Sequence, residues 1–352
     1  MIEKFHRLLS SVGVGFVSAN GYSSVWDIVL NRCEFSSVSY THSMLNYQKL
    51  YVESSGVSCM DSSIILISDN SMKSDNKYIG ILPMSFTSVD KTTTLCSFEQ
   101  GLLPPIFVKE FSEKSADVIA RKIWKIIYEC VVDLKLFSLK NPVIPFQGRL
   151  GLTAWETAIL ISHARPRPYF MLYVDLSASL EKIKSQFRKS YKSLISSAEK
   201  LWSVFIVDSR VLELYEIMNE FRYFHLVVSG RKTRSDDTWR AQADMIKNDE
   251  ALLIVLRDKN NEMVGGGFYQ YTKTEAVYSV GAYDRALFDN PLGHLCQYHA
   301  IIEFKKRNVL WYKIGSRPYP GGDAQVSEKE LSIAHFKEGF ATHTFCGLQY
   351  IF

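Results

Sequence analysis

ALLIVLRD (251–258), EMVGGGFYQYTK (262–273), TEAVYSVGAYDRALF (274–288), NPLGHLCQYHAIIEFKKRN (290–308) and VLWYKIG (309–315) form one nearly continuous stretch of the chain. The first two apolar runs are separated only by the polar turn DKNNE, and the second passes to the third through YTKTE. Connections this short join antiparallel neighbours. The third run leads through a loop into a helix-length segment, after which VLWYKIG resumes strand character. Strand, helix and strand in that order form a crossover between parallel strands. The stretch therefore predicts an antiparallel meander closed by one parallel crossover, a mixed α/β sheet.

The chain has 352 residues, 47% of them hydrophobic and 22% charged, which fits two globular domains with true cores. A formal net charge of +4 is too small to indicate DNA binding. The charge is unevenly placed, with six Lys or Arg against two Glu from Glu181 to Lys200. Cysteines stand at 33, 59, 96, 130, 296 and 346, without close pairs or metal-ligand spacing, so no metal site and reduced, mostly buried thiols are expected. The opening MIEKFHRLLSSVGVGFVSAN faintly resembles a secretory signal, but its apolar stretch is interrupted by Ser and Gly and its start carries an acid, so secretion is not expected. No apolar run approaches the roughly 20 residues of a membrane span. A cytoplasmic protein without an integral span is expected.

Along the first half, SSIILIS (62–68), YIGILPMSF (78–86) and TTTLCSF (92–98) read as strands, with the polar loop DNSMKSDNK between the first two. From Ser115 the period becomes helical through Ile119, Ile123, Ile126, Cys130 and Leu134. TAWETAILISHA forms a second helix. HARPRPY (163–169) reads as a stiff proline-bearing joint, and it divides the chain into domains 1–165 and 166–352.

YFMLYVDLS (169–177) opens the second half as a strand. LEKIKSQFRKSYKSLISSAEK follows as a helix, continuous or broken near its middle, with a buried stripe at Ile183, Phe187, Tyr191, Leu194 and Ala198. Lys184, Arg188 and Lys192 form a basic stripe at i, i+4 spacing, which serves either as a solvated face or as a phosphate contact. VFIVDS is a strand and RVLELYEIMNEFRYF a helix. The loop that follows carries Gly230, Arg231, Lys232 and Arg234 ahead of Ser235, an N-cap residue leading a helix with Asp236 and Asp237 in its first turn. A basic loop entering a helix suits an anion; its alternative is three solvated surface cations.

FRKSYKSLISSAEK (187–200), GGGFYQY (265–271) with VYSVGAYDR (277–285), and IAHFKEGFAT (333–342) together resemble the FemAB/FemX-like acyltransferases, a family related to the GNAT enzymes. The resemblance runs from about Arg165 to Phe352. It implies a GNAT-like α/β fold, with two tandem GNAT-like domains and residues 1–165 as a diverged partner. It implies an acyltransferase that joins an activated acyl or aminoacyl group to an amine. The donor in such enzymes is acyl-CoA or aminoacyl-tRNA, used as a co-substrate with no bound cofactor. The acceptor is an amino sugar or other nucleotide-linked or small-molecule amine of cell-envelope polysaccharide biosynthesis, or a peptidoglycan precursor. The late family motif, a Phe-Lys pair followed by a turn, falls on Phe336, Lys337, Gly339 and Phe340, and places Lys337 near the transfer centre. Ala341 follows where the family has Gly. The glycine-rich pyrophosphate loop of CoA-using GNAT enzymes is replaced by DRALFDNPLGH, which keeps Gly293 and a helix N-terminus only.

Amide formation needs a neutral amine, a fixed carbonyl and a stabiliser for the oxyanion. Candidate catalytic residues are Lys337, Asp284, His225 and His294. Tyr278 to Tyr283 are expected to line the split between the third strand and the one after the crossover. Candidate substrate contacts are Lys184, Arg188, Lys192, Arg231, Arg234, Tyr283, Arg285 and Phe336. Asp284 and Arg285 leave the sheet at a strand's C-terminal end, where open α/β sheets bind ligands; their structural alternative is a loop-fixing ion pair. Trp311 and Tyr312 are core and rim, or a platform for a glycan, and Glu330 is a helix-start carboxylate. A non-catalytic GNAT-fold module binding a glycan or a protein partner is the reading from a different class.

Overall fold

The computed structural model describes residues 2–21, 23–68, 77–146, 151–319 and 326–352. It divides into two compact units, Met1–Pro168 with Gly347–Phe352, and Tyr169–Cys346. The loop expected over DNSMKSDNK lies, except for Lys77, outside the described residues.

In the first unit the order is α1 (Ile2–Ser11), β1 (Gly15–Ser18), α2 (Ser23–Arg32), α3 (His42–Glu53), β2 (Ser58–Asp61), β3 (Ile64–Ile67), β4 (Tyr78–Leu82), β5 (Ser85–Val89), β6 (Thr92–Cys96), β7 (Ile106–Phe107), α4 (Glu113–Val132), β8 (Ser138–Leu139), β9 (Val143–Ile144) and α5 (Ala154–Ile161). Two four-stranded sheets result, β1-β3-β4-β7 and β2-β5-β6-β8. YIGILPMSF is two strands, because Pro83 and Met84 separate β4 from β5. The period of α4 buries Ile123, Ile126, Ile127 and Cys130 against Phe5, Leu9 and Trp155. Thr153 and Glu156 close a reciprocal capping box that starts α5, the arrangement that satisfies two orphan N–H groups at once.

The second unit continues with β10 (Arg165–Asp175, shared at the division), α6 (Leu180–Gln186), α7 (Lys189–Leu201), β11 (Ser203–Val207), α8 (Leu214–Ser229), α9 (Asp236–Lys247), β12 (Ala251–Arg257), β13 (Met263–Tyr271), β14 (Glu275–Tyr283), α10 (Leu292–Lys306), β15 (Trp311–Ser316), α11 (Glu328–Glu338) and β16 (His343–Ile351). Its strands are ordered β11-β12-β13-β14-β15-β10-β16. β12, β13 and β14 pair antiparallel, and β15 joins β14 in parallel after α10. The expected meander and crossover are both present. β12 is an unbroken apolar run because both faces are covered. Leu252, Ile254 and Leu256 join the core that holds Leu295, Ile301 and Phe304 of α10. On the opposite face, Phe221 of α8 closes on Gly266, where a Cβ would stand 3.0 Å from the ring.

Three readings gain detail in the structure. The division between the two units falls after Pro168, inside HARPRPY; Arg165 to Pro168 belong to β10, whose pairing with β15 begins at Met171, so neither proline removes a donor from that ladder. The basic helix is broken near its middle, the alternative its sequence left open, into α6 and α7. Phe187 and Arg188 are extended (ψ 150° and 134°), and Lys184, Arg188 and Lys192 therefore share no continuous face. Finally, α8 runs five residues beyond FRYF and ends at Gly230, whose φ of 70° gives the left-handed cap. His225 is thus a helix residue and lies outside the loop.

Candidate active site

The split in the second unit's sheet comes from the sequence around Ser279. The β14–β15 ladder ends at Val277 and Lys313, although β14 runs on to Tyr283 and β15 to Ser316. One residue further, the β13–β14 register slips: Phe268 pairs with Val280 and Tyr269 with Tyr278, leaving Ser279 unpaired. A bulge adds local twist and bends its strand, which turns β14 away from β15 there. Tyr278, Ser279 and Tyr283 are consequently half-buried, and Gly281 is exposed.

Lys337 of α11 reaches this split. Its Nζ stands 5.4 Å from the centroid of the Tyr278 ring and against Gly315, where a Cβ would lie 2.5 Å from it. Gly315 has φ +154°, a backbone conformation that favours glycine. Lys337 has no carboxylate or hydrogen-bond partner among the described residues; neighbouring Glu338 turns instead to Arg317 at 3.0 Å. Burial alone pushes the Lys337 ammonium below the usual lysine range. A ring face and a desolvated amine stabilise a cation only weakly, which leaves Lys337 able to gain from an oxyanion.

The rest of the late motif is anchored by α7. The Arg188 backbone N–H donates to the Gly339 carbonyl at 2.9 Å. Its guanidinium donates to the His335 carbonyl at 2.8 Å and to the Tyr191 hydroxyl at 3.1 Å. Tyr191 in turn donates to the Phe336 carbonyl at 2.9 Å. Arg188 is therefore committed to bracing α11, so its observed role is to hold Phe336 and Lys337 in position.

α10 contributes its N-terminus. Pro291 occupies the N-cap position without a side-chain cap bond, leaving first-turn N–H groups to other partners. The Phe336 ring lies against Gly293, 3.1 Å from where a Cβ would be. His294 packs edge-on to Tyr191 and Phe336, with centroids 4.4 and 5.0 Å away. Burial, with Arg188 close by, lowers its pKa to about 4. So weak a base holds no proton at neutral pH and is poorly matched to general-base work. The neutral form is the one the fold favours. Its contribution to stability is thus complete above the ordinary histidine pKa of 6.5 and is lost as pH falls from there through about 4. Between pH 7 and 4, His294→Phe is expected to flatten the fall in melting temperature seen for the native chain; parallel curves would refute this assignment.

The other candidates fall elsewhere. Asp284 accepts from the Ala286 N–H at 2.9 Å and caps a single 3₁₀ turn, Arg285–Leu287. Arg285 is exposed, and no ion pair joins it to Asp284 among the described residues. Lys184 lies over the Tyr298 ring at 4.8 Å, and Lys192 is exposed. Tyr283 does reach the split, its hydroxyl 3.2 Å from that of Tyr278. His225, Arg231 and Arg234 line a different cavity of about 320 Å³ between α8 and α9. Tyr312 is fully buried and Trp311 packs on His343 and Phe345, so this pair offers no glycan platform. Glu330 closes a capping box with Ser327. Among the described residues no cluster of His, Cys, Asp or Glu could hold a metal ion, and no helix is long and apolar enough to cross a membrane.

No family model matches the sequence, and no curated protein matches it. Solved structures do. FemX is similar over 94% of this chain and 96% of its own, with TM-score 0.64 at 10% identity. The chain has the fold of FemX. A DUF2156 domain from Agrobacterium fabrum, the C-terminal part of a protein named for lysylphosphatidylglycerol synthetase, matches 95% of this chain and 91% of its own (TM-score 0.55, 13% identity). A Bacteroides thetaiotaomicron protein of unknown function matches 96% and 98% (TM-score 0.55, 9% identity). The expected FemX-like α/β architecture is thereby established as a fold.

Tyr191, His335 and Gly315 escaped sequence reasoning as parts of the site. Tyr191 was legible only as a member of a buried stripe, and Gly315 only as the end of a strand.

Proposed function

We propose that the chain is an acyltransferase forming an amide at the β14–β15 split. The observation that carries this reading is Lys337, without a carboxylate partner among the described residues and held against Gly315 and Tyr278, next in sequence to Phe336, whose ring lies against Gly293 at the uncapped start of α10. A donor carbonyl laid along β14 beyond Val277 meets backbone released from the β15 ladder. Attack by a neutral amine forms the C–N bond, and the C–S or C–O bond to the donor's carrier breaks. The amine proton leaves to water or to the departing carrier. Lys337 donates to the oxyanion formed in between, a role in which one preorganised donor contributes roughly 3 kcal/mol.

Acyl-CoA as donor and an amino sugar or related envelope-precursor amine as acceptor is the first form of this reading. Aminoacyl-tRNA as donor is the second. It is favoured by Phe336 standing against Gly293, where CoA-using relatives leave a glycine-rich loop open for pyrophosphate. The likeness to a domain named for lysylphosphatidylglycerol synthetase favours it too. Thermal unfolding with CoA and acetyl-CoA separates them. A ligand at 100 times its Kd adds about 2.7 kcal/mol to stability, so a clear upward shift supports acyl-CoA. No shift at millimolar ligand removes CoA and moves the assay to charged tRNA. Absence of transfer from either donor to any amine would overturn the acyltransferase reading and leave a binding module.

A further inference from the structure

The nucleophiles gathered around the split differ in how far the fold has engaged them. The Ser279 hydroxyl donates to the Gln270 side-chain oxygen at 2.6 Å. The Tyr278 and Tyr283 hydroxyls stand 3.2 Å apart as a pair, and burial raises both above the usual phenol range. Cys296 of α10 is fully buried, and its thiol is pushed up to about 12. The His294 ring is enclosed by Tyr191, Phe336 and Phe340.

Lys337 is different on each count. It is half-buried, so a small reagent can reach it. Its Nζ rests on the Tyr278 ring and against Gly315, with no hydrogen bond or ion pair among the described residues. The charged neighbours, Glu338 and Arg317, are paired with each other at 3.0 Å. Other lysines of the unit are occupied or hydrated. Lys305 donates to the carbonyls of Leu176 and Ala178, Lys306 pairs with Glu303, and Lys192 is exposed. Burial also shifts Lys337 towards its neutral form, and the neutral amine of a desolvated lysine is a nucleophile. The position that suits an oxyanion donor suits attack as well. A nitrogen about 2.8 Å from a carbonyl oxygen stands roughly 3–3.5 Å from its carbon, because the C=O bond is only about 1.23 Å long; that is the near-attack separation.

We infer that Lys337 is itself an acylation site: when an activated acyl donor occupies the split without an amine acceptor, its Nζ takes the acyl group and the chain inactivates itself. The neutral amine forms a C–N bond to the carbonyl carbon. The C–S or C–O bond to the carrier breaks, and the carrier leaves as thiol or alcohol with one amine proton. The product is an uncharged amide, which cannot neutralise an oxyanion and fills the space beside Gly315. The inference rests on the acyltransferase reading for the donor's place in the split; the reactivity of the amine belongs to the fold alone.

The test incubates the full chain, without acceptor, with p-nitrophenyl acetate, an activated ester that needs no carrier site, and separately with acetyl-CoA. Peptide mass mapping then locates the acetylated lysines. In the folded chain Lys337 is expected to react with the nitrophenyl ester roughly tenfold faster than any other lysine, and this preference is expected to vanish in urea. Lys337→Arg is expected to lose the fast site and keep the slow ones. Transfer to an added amine is expected to fall in proportion to Lys337 acetylation. A rate at Lys337 equal to that at the exposed Lys192 would overturn the inference. So would a preference that persists in urea, because local sequence would then set it. Fast labelling by the nitrophenyl ester with none from acetyl-CoA keeps the acylation site and removes CoA as donor. Sustained transfer to an amine by a chain whose Lys337 stays unmodified, even after its donor is left without acceptor, keeps the acyltransferase and overturns self-inactivation.

Discussion

Lys337→Met is expected to lower the rate of acyl transfer about 10²–10³-fold, the cost of one preorganised oxyanion donor, while the folded chain becomes no less stable at neutral pH. The second half of this expectation comes from burial. A lysine pushed below its ordinary pKa is one that folding disfavours in its charged form. The unfolded chain then binds the additional proton, and native stability rises with pH through the window between the lowered value and the ordinary value of about 10.4. Met fills the same channel past Gly315 and over Tyr278 without a charge to desolvate. Replacing a half-buried charge that has no carboxylate partner among the described residues by an apolar side chain of similar length is expected to be neutral or stabilising, here by about 1 kcal/mol. The advantage of the variant should shrink as pH approaches 10, where the native lysine is also neutral. Melting curves at pH 7 and pH 10, run beside a transfer assay, check both halves. A variant that loses both activity and stability at pH 7 would make Lys337 a structural residue.

The sheet that carries this site was readable because its signals are local. β12, β13 and β14 are long apolar runs joined by short polar turns, and both their pairing and the parallel return of VLWYKIG follow from connection length. Lys337 was reachable too, but only through the order of three weak motifs. What sequence could not give is the set of contacts between residues far apart in the chain. Arg188 sits at helical spacing between Lys184 and Lys192, and nothing local reveals that its partners are His335 and Gly339. A break near the middle of that helix is legible in the sequence, but its consequence, the Arg188 backbone reaching Gly339, is not. Asp284 has the composition of a catalytic acid, yet a carboxylate two residues before a free N–H caps its own turn more readily than it serves a substrate. His294 stands at the helix start as expected. Its surroundings, supplied by Tyr191, Phe336 and Phe340, make it a member of an aromatic cluster.

Arg307→Ala should produce the largest loss of stability of any single change considered, about 3 kcal/mol. Arg307 closes the C-terminal end of α10, opposite the end that carries Gly293 and His294. Its guanidinium reaches Glu303 at 2.6 Å and Asp208, at the end of β11, at 3.1 Å. Both carboxylates are buried, at 7% and 4% exposure. Removing the shared cation leaves two buried negative charges, the situation in which breaking a pair costs about 3–5 kcal/mol. Arg210 and Lys306 keep part of the compensation, through Asp208 and Glu303 respectively, which sets the lower end of that range. The pH dependence follows from the same geometry. Hydrogen bonds from Arg210 and the Arg307 charge hold Asp208 below the usual carboxylate range. Against its own burial, Lys306 and Arg307 do the same for Glu303. Groups lowered in this way contribute stability that is complete above their unfolded pKa, near 4, and lost as pH falls below it. The native chain should therefore lose stability more steeply than Arg307→Ala between pH 5 and 3, with the two curves converging in acid. Because α10 connects this ion cluster to the split, the variant should also lose transfer activity through a looser His294–Phe336 contact, and a conservative Arg307→Lys should recover part of both. Equal stability of the native chain and Arg307→Ala at pH 7 would show that solvent already screens the cluster and that α10 is held by its apolar face alone.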